Sequence, residues 1–226
     1  MKKAKFTILI QARIHSKRLR GKILFSFFGE KVLERIIRIA KAIKINKEIF
    51  ILTGKRERNS IIEKISKKHS IKTYFGEEKN VLKRFQSFVK LNKIENENII
   101  RITSDNYLIQ PMIVEKLAKQ FVSENFDYGY ILPLSHYSGE VFKGKILFLQ
   151  NSKNKNNKEH VTFEMRKNKK FRILKLNSNF MNIDHKKFFT LDTYEDRIKM
   201  EKIQNKYKSL KNLNCINTIK KIQNCL

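Results

Sequence analysis

The sequence predicts a three-layer α/β/α sandwich around a mostly parallel sheet. Three observations predict it. Short apolar runs alternate with amphipathic helical stretches in βαβαβ order between residues 6 and 76. The first run, Phe6 to Ile10, is apolar apart from Thr7, as in strands covered on both faces. The 226 residues are 41% hydrophobic and hold two prolines and seven glycines, which suits one α/β domain without a linker or low-complexity tract. We expect residues 1–226 to form a single domain, and we find no internal repeat.

Phe6 to Ile10 reads as the first buried strand. Lys31 to Ile45 reads as an amphipathic helix, with Val32, Leu33, Ile36, Ile37, Ala40 and Ile43 on one face. Ile49 to Thr53, closed by Gly54, is a second strand. Glu57 to Lys68 is a helix with Ile61, Ile62 and Ile65 inward. Lys72 to Phe75, closed by Gly76, is a third strand. Asn80 is a good N-cap for a helix to about Leu91 that buries Val81, Leu82, Phe85, Phe88 and Val89. Asn98 to Thr103 is the fourth strand, and Pro111 suits the first turn of a helix to about Asn125. Asp127 to Pro133 is another strand, followed by a helix from about His160 to Lys167 and a strand from Phe171 to Leu176. Thr193, with Asp196 three residues on, forms a capping box for a helix from Tyr194 to Tyr207. From about Asn212 the tail reads as a surface helix.

The first strand runs into a loop holding Arg13, Ser16, Lys17, Arg18, Arg20 and Lys22 around Gly21. Open α/β sheets bind ligands beyond the carboxyl ends of their strands. Glycine lets backbone approach a ligand closely, and arginine presents a planar fork to phosphate. The loop carries neither a Walker nor a dinucleotide fingerprint, and on charge alone a solvated basic loop explains it equally well. Asp105 follows the fourth strand and faces this loop, a sensible Mg²⁺ position and also a natural turn cap. His160 is a candidate general base, since imidazole titrates near ~6.5.

Fifty basic residues against 21 acidic ones give a formal charge of +29, which points to a polyanionic partner. The lysines are spread along the chain, and aromatics do not alternate with them as in RNA-binding sheets. A nucleotide is therefore favoured over nucleic acid. Abundant Ile, Asn, Phe and Lys also fit drift in an A/T-rich genome. Cys215 and Cys225 are too sparse for a disulfide framework or zinc site, so reduced thiols and a cytoplasmic location are expected. The first apolar run has five residues and reads as neither signal peptide nor membrane span.

Gln11-Ala12-Arg13-Ile14-His15-Ser16-Lys17-Arg18-Leu19-Arg20-Gly21-Lys22 resembles the opening Q-A-R-x-x-S-x-R-L-P-G-K of the cytidylyltransferases that make CMP-activated acidic sugars. The branch is the spore-coat-polysaccharide SpsF type, related to the CMP-Kdo and acylneuraminate synthetases. Four further segments match in order: Gly76 to Phe85, Arg101 to Leu108, His136 to Phe142 with Lys158 to Thr162, and Thr190 to Asp196. The chain departs from the pattern at Arg20, Tyr107 and Tyr194, where the family has proline, and at Asn80, Gln110 and Ser138, where it has aspartate.

The resemblance implies a nucleotide-diphospho-sugar transferase (GT-A-like) fold, with a small antiparallel excursion near residues 127–143 that carries acceptor contacts and is a candidate homodimer interface. It implies transfer of CMP from CTP to an acidic sugar, with release of pyrophosphate. Arg13, Lys22 and Asp105 would be catalytic. Gln11, Ala12, Arg13, Ser16, Arg18, Lys22, Arg84, Arg101 and Ser104 would bind the nucleotide. Asp105 and Asp192 would hold Mg²⁺, and Glu140, Glu159 and His160 would meet the acceptor. Two alternatives stay open: a relative using another nucleotide or acceptor, and a catalytically degenerate protein with a basic nucleic-acid-binding surface.

Overall fold

Phe6 to Gln11 forms β1, and its alternation seats the sheet between two cores. Ile8 and Ile10 enter one core and Leu9 the other. A computed structural model describes residues 4–132, 135–151, 158–177, 189–207 and 216–223. Pro133, Cys215 and Cys225 lie outside the described residues.

The chain continues through a hairpin, β2 (Ser26–Phe27) and β3 (Glu30–Lys31), into α1 (Val32–Ala42). Then come β4 (Lys47–Thr53), α2 (Arg56–Lys68), β5 (Lys72–Phe75), α3 (Val81–Leu91), β6 (Asn98–Thr103) and α4 (Pro111–Ser123). β7 (Tyr128–Leu132), β8 (Glu140–Lys143), β9 (Ile173–Asn177), α5 (Tyr194–Lys206) and α6 (Ile216–Gln223) follow. The main sheet has the order β5-β4-β1-β6-β8-β7-β9. β1 pairs in parallel with β4 and β6, and β7 pairs in parallel with β9, while β8 runs antiparallel to both β6 and β7. This is the expected three-layer, mostly parallel architecture.

The apolar stripe of α1 is fully buried at Val32, Leu33, Ile36 and Ile37 and packs with α4 on one face. α3 packs Leu82, Phe85 and Val89 on the other. Each such side chain contributes roughly 1.5–3 kcal/mol of burial. Asn80 caps α3 by accepting the Lys83 N–H at 2.9 Å, and Pro111 opens α4 as expected.

The antiparallel strand expected near residues 127–143 is β8, which lies inside the main sheet between β6 and β7. Three expectations are corrected. His160 to Lys167 is not an α-helix but turns ending in a 3₁₀ turn at Met165–Lys167, where the Thr162 hydroxyl donates to the buried Glu140 carboxylate. Ile61 is 39% exposed, whereas Ile62 and Ile65 are buried. The C-terminal helix is no mere surface element, because Ile219 and Ile222 are fully buried in the core.

Candidate active site

The basic loop after β1 is tied at both ends. Gly21 donates its N–H to the Ile14 carbonyl at 2.9 Å and adopts φ +70°, which suits a residue without Cβ. Asn59, buried at a kink in α2, accepts the Ile14 N–H at 3.1 Å. Its amide nitrogen donates to the Lys55 carbonyl at 2.9 Å and to Glu78 at 3.2 Å. The short helical turn after Gly21 directs Lys22 inward, where its side chain is 8% exposed.

Lys22 Nζ lies 3.0 Å from Asp105 Oδ2 and 3.1 Å from Asp192 Oδ1. The Arg18 guanidinium donates to the other oxygen of Asp192. Two backbone devices set this geometry. Leu191 N–H donates to the Asp105 carbonyl at 3.0 Å, fastening the carboxylate segments together. Asp196 accepts the N–H groups of Asp192 and Thr193 at 2.9 and 2.8 Å, while Thr193 Oγ1 caps α5. Thr193 therefore caps while Asp192 faces the cleft. Burial raises the Asp105 pKa, but the Lys22 ammonium and a Thr103 hydroxyl bond outweigh it, so the carboxyl titrates below its ordinary range.

These residues line a cleft of about 620 Å³. Of the residues expected from sequence, Gln11, Arg13, Ser16, Arg18, Lys22, Arg101, Ser104, Asp105, Glu140, Glu159, His160 and Asp192 line it. Ala12 and Arg84 are not among its lining. Ala12 is buried beside β4, donating its N–H to Leu52. Arg84 is fully buried; its Nε donates to the Glu77 carbonyl at 2.8 Å and its Nη2 to the Glu78 carbonyl at 3.0 Å. Burial lowers its pKa to about 10.

The far wall is organised by Glu140, which is 4% exposed. Its carboxylate accepts bonds from Arg101 Nη1 (2.6 Å), Tyr128 Oη (2.7 Å), Thr162 Oγ1 (2.9 Å) and Arg166 Nη2 (2.5 Å). Burial pushes the Glu140 pKa up, yet Arg101 and Arg166 more than reverse it and bring it down to about 2. Arg101 also donates from Nε and Nη2 to Gln11 Oε1, at 3.0 and 2.8 Å.

Arg166 and His136 also line the cleft and were not singled out from sequence. Arg166 lies six residues beyond His160 with no periodic signal, because the intervening chain is turns. His136 is set by tertiary contact: the Tyr137 carbonyl accepts the Gln110 N–H at 2.9 Å, holding its turn against the loop after β6. Burial lowers the His136 pKa, with Asp105 opposing.

The departures from the family pattern have local accounts. Tyr107 is fully buried, with the Arg35 guanidinium 4.6 Å from its ring centroid. Buried Gln110 donates to the Leu108 carbonyl at 2.8 Å, and buried Ser138 to the Gly139 carbonyl at 2.7 Å. Arg20 and Tyr194 are exposed. Asn80 keeps the capping role open to an aspartate.

Two carboxylates meeting at one cation form the oxygen donor set that magnesium uses, with phosphate oxygens and water completing its shell. No group of three or more His, Cys, Asp and Glu among the described residues could hold a metal ion. Asp105 and Asp192, two carboxylates within reach of one cation, fit a metal ion whose other ligands come from phosphate and water.

A family model described as cytidylyltransferase matches residues 7–224. Two relatives align over part of the chain. MJ1063, an uncharacterized protein of Methanocaldococcus jannaschii, is 35% identical over 68% of this chain and 64% of its own length. The spore coat polysaccharide biosynthesis protein SpsF of Bacillus subtilis is 30% identical over 62% of this chain and 59% of its own. The chain thus covers less than two thirds of either relative.

Among solved structures, a cytidylyltransferase from Leptospira borgpetersenii superposes with a TM-score of 0.79 at 22% identity, covering 98% of this chain and 96% of that one. CMP:2-keto-3-deoxy-manno-octonic acid synthetase, complexed with CTP, gives 0.65 at 14% identity over 90% and 99%. Rv0371C of Mycobacterium tuberculosis, complexed with manganese, gives 0.63 at 12% identity over 88% and 98%. These structures share the fold.

Proposed function

The chain belongs to the cytidylyltransferase family, and from that premise we propose that it transfers the CMP group of CTP to an acidic sugar for surface polysaccharide biosynthesis. The observation that carries the reading is the Lys22 ammonium between Asp105 and Asp192, beside a basic loop in a cleft of about 620 Å³. SpsF supports the polysaccharide setting, and the CTP-bound synthetase of the same fold supports the nucleotide.

In the proposed reaction the acceptor hydroxyl attacks the α-phosphorus in line. A new P–O bond forms, the bond to the β-phosphate oxygen breaks, and pyrophosphate leaves while the hydroxyl proton is released. Positioning and charge neutralisation carry such a step. Arg13 lines the cleft with no carboxylate partner among the described residues, so its guanidinium is the first cation open to the triphosphate. Lys22 and Arg18 would hold phosphate oxygens and balance charge growing on the leaving pyrophosphate, with Ser16 and Ser104 donating hydroxyls. Arg101, braced by Glu140, fixes the Gln11 amide against the cleft. Glu159, His160 and His136 would surround the acceptor. Asp105 and Asp192 would hold Mg²⁺, which would supply positive charge at the phosphate and lower the pKa of the attacking hydroxyl. No described helix is long and apolar enough to cross a membrane; we place the reaction in the cytoplasm.

The test is thermal stabilisation by CTP, UTP, GTP and ATP, each with and without Mg²⁺, followed by pyrophosphate release with acidic sugars. CTP at a hundred times its dissociation constant should add about 2.7 kcal/mol. A shift that is equal for all four nucleotides, or absent for all, would overturn the reading.

A further inference from the structure

The two carboxylates proposed as metal ligands already carry cations of the chain itself. Lys22 Nζ takes Asp105 Oδ2 and Asp192 Oδ1 at 3.0 and 3.1 Å, and Arg18 takes Asp192 Oδ2. The Leu191 N–H bond to the Asp105 carbonyl keeps the two segments together, so both carboxylates stay within reach of one cation. Lys22 is nearly buried, and no third carboxylate is paired with it among the described residues. A divalent ion arriving alone would meet an ammonium on the same oxygens. Displacing that ammonium would leave it buried without a counter-charge, which is strongly unfavourable.

We infer that Lys22 and Arg18 are positioning residues of the carboxylate pair: internal counter-ions that exclude a lone divalent cation and hold Asp105 and Asp192 together until a triphosphate draws them away. The inference rests on the proposed nucleotidyl transfer. Its consequence is reciprocal coupling, because one exchange of ion pairs serves both ligands. The metal raises nucleotide affinity by the same factor by which the nucleotide raises metal affinity.

The experiment is a Mn²⁺ titration of the nucleotide-free protein, read from the electron paramagnetic resonance signal of unbound Mn²⁺. The unmodified chain should bind weakly. Lys22→Met should bind roughly tenfold more tightly, within the ~5- to 150-fold span of such couplings, and Arg18→Gln several-fold more tightly. Arg18 is exposed, so its variant decides the matter if Lys22→Met does not fold. Mn²⁺ affinity that is the same in the unmodified chain and in the folded variants would overturn the counter-ion role. A parallel thermal-shift arm with CTP and Mn²⁺ separates the two ideas. Stabilisation there, with unchanged Mn²⁺ binding in the variants, sinks only the counter-ion role. No stabilisation by CTP sinks the nucleotidyl-transfer reading instead.

Discussion

Arg101 Nη1 donates to Glu140 Oε2 at 2.6 Å, joining adjacent strands β6 and β8 at the wall of the cleft. Glu140 also holds Arg166 at 2.5 Å, so one buried carboxylate balances two arginines. Glu140→Gln should therefore destabilise the fold by about 3–5 kcal/mol, the range for removing one partner of a buried pair. Urea unfolding would measure it, and a loss below 1 kcal/mol would show that the two arginines find other partners.

The same carboxylate sets an acid limit. Its pKa is brought down to about 2 from an ordinary 4.5. A group whose folded pKa is depressed contributes stability above its unfolded pKa and loses it as pH falls through its folded pKa. Stability from Glu140 should be fully present above about pH 5 and decline between 4.5 and 2. Unfolding free energy measured across that window should fall less steeply in Glu140→Gln than in the unmodified chain.

The strands and helices whose apolar residues repeat locally were legible in the sequence, as were the caps at Asn80 and Thr193. What escaped depends on contacts distant along the chain. β8 enters the sheet because Glu140 meets Arg101 across 39 residues, a pairing without local periodicity. The burial of Val161, Thr162 and Met165 mimics helical spacing, but bonds to Glu140 draw Thr162 and Arg166 aside. Of the twelve expected residues that line the cleft, Gln11, Arg13, Ser104 and Asp105 sit at or just past the carboxyl ends of β1 and β6, where ligands of such sheets bind. Arg84 lies one helical turn into α3, and only the fold reveals that backbone carbonyls take up its Nε and Nη2.

Asn59 lies outside every motif and yet holds the basic loop through the Ile14 N–H. Asn59→Ala would strand that N–H and remove the bonds to Lys55 and Glu78. A loss of about 1–3 kcal/mol in stability is expected from the unpaired groups. Because the loop carries the cations proposed to face the triphosphate, the KM for CTP should rise more than kcat falls. Steady-state kinetics at saturating acceptor would separate the two, and an unchanged KM would show that the loop holds its shape without Asn59.

Asp105→Asn isolates charge from shape. The amide keeps the volume of the carboxyl, and Lys22 retains Asp192 at 3.1 Å, so far-UV dichroism and the thermal midpoint should stay near those of the unmodified chain. The negative charge that would face the metal and the triphosphate is gone. Turnover should fall by at least about 10²-fold, the scale of removing one group aimed at charge that develops during reaction. The fall should appear in kcat measured by pyrophosphate release, because the proposed phosphate contacts of Arg13 and Lys22 would remain. Asp192→Asn should act in the same direction, and the double variant should cost less than the product of the single losses, since both carboxylates serve one cation. Independent, fully multiplicative losses would assign the two aspartates to separate tasks.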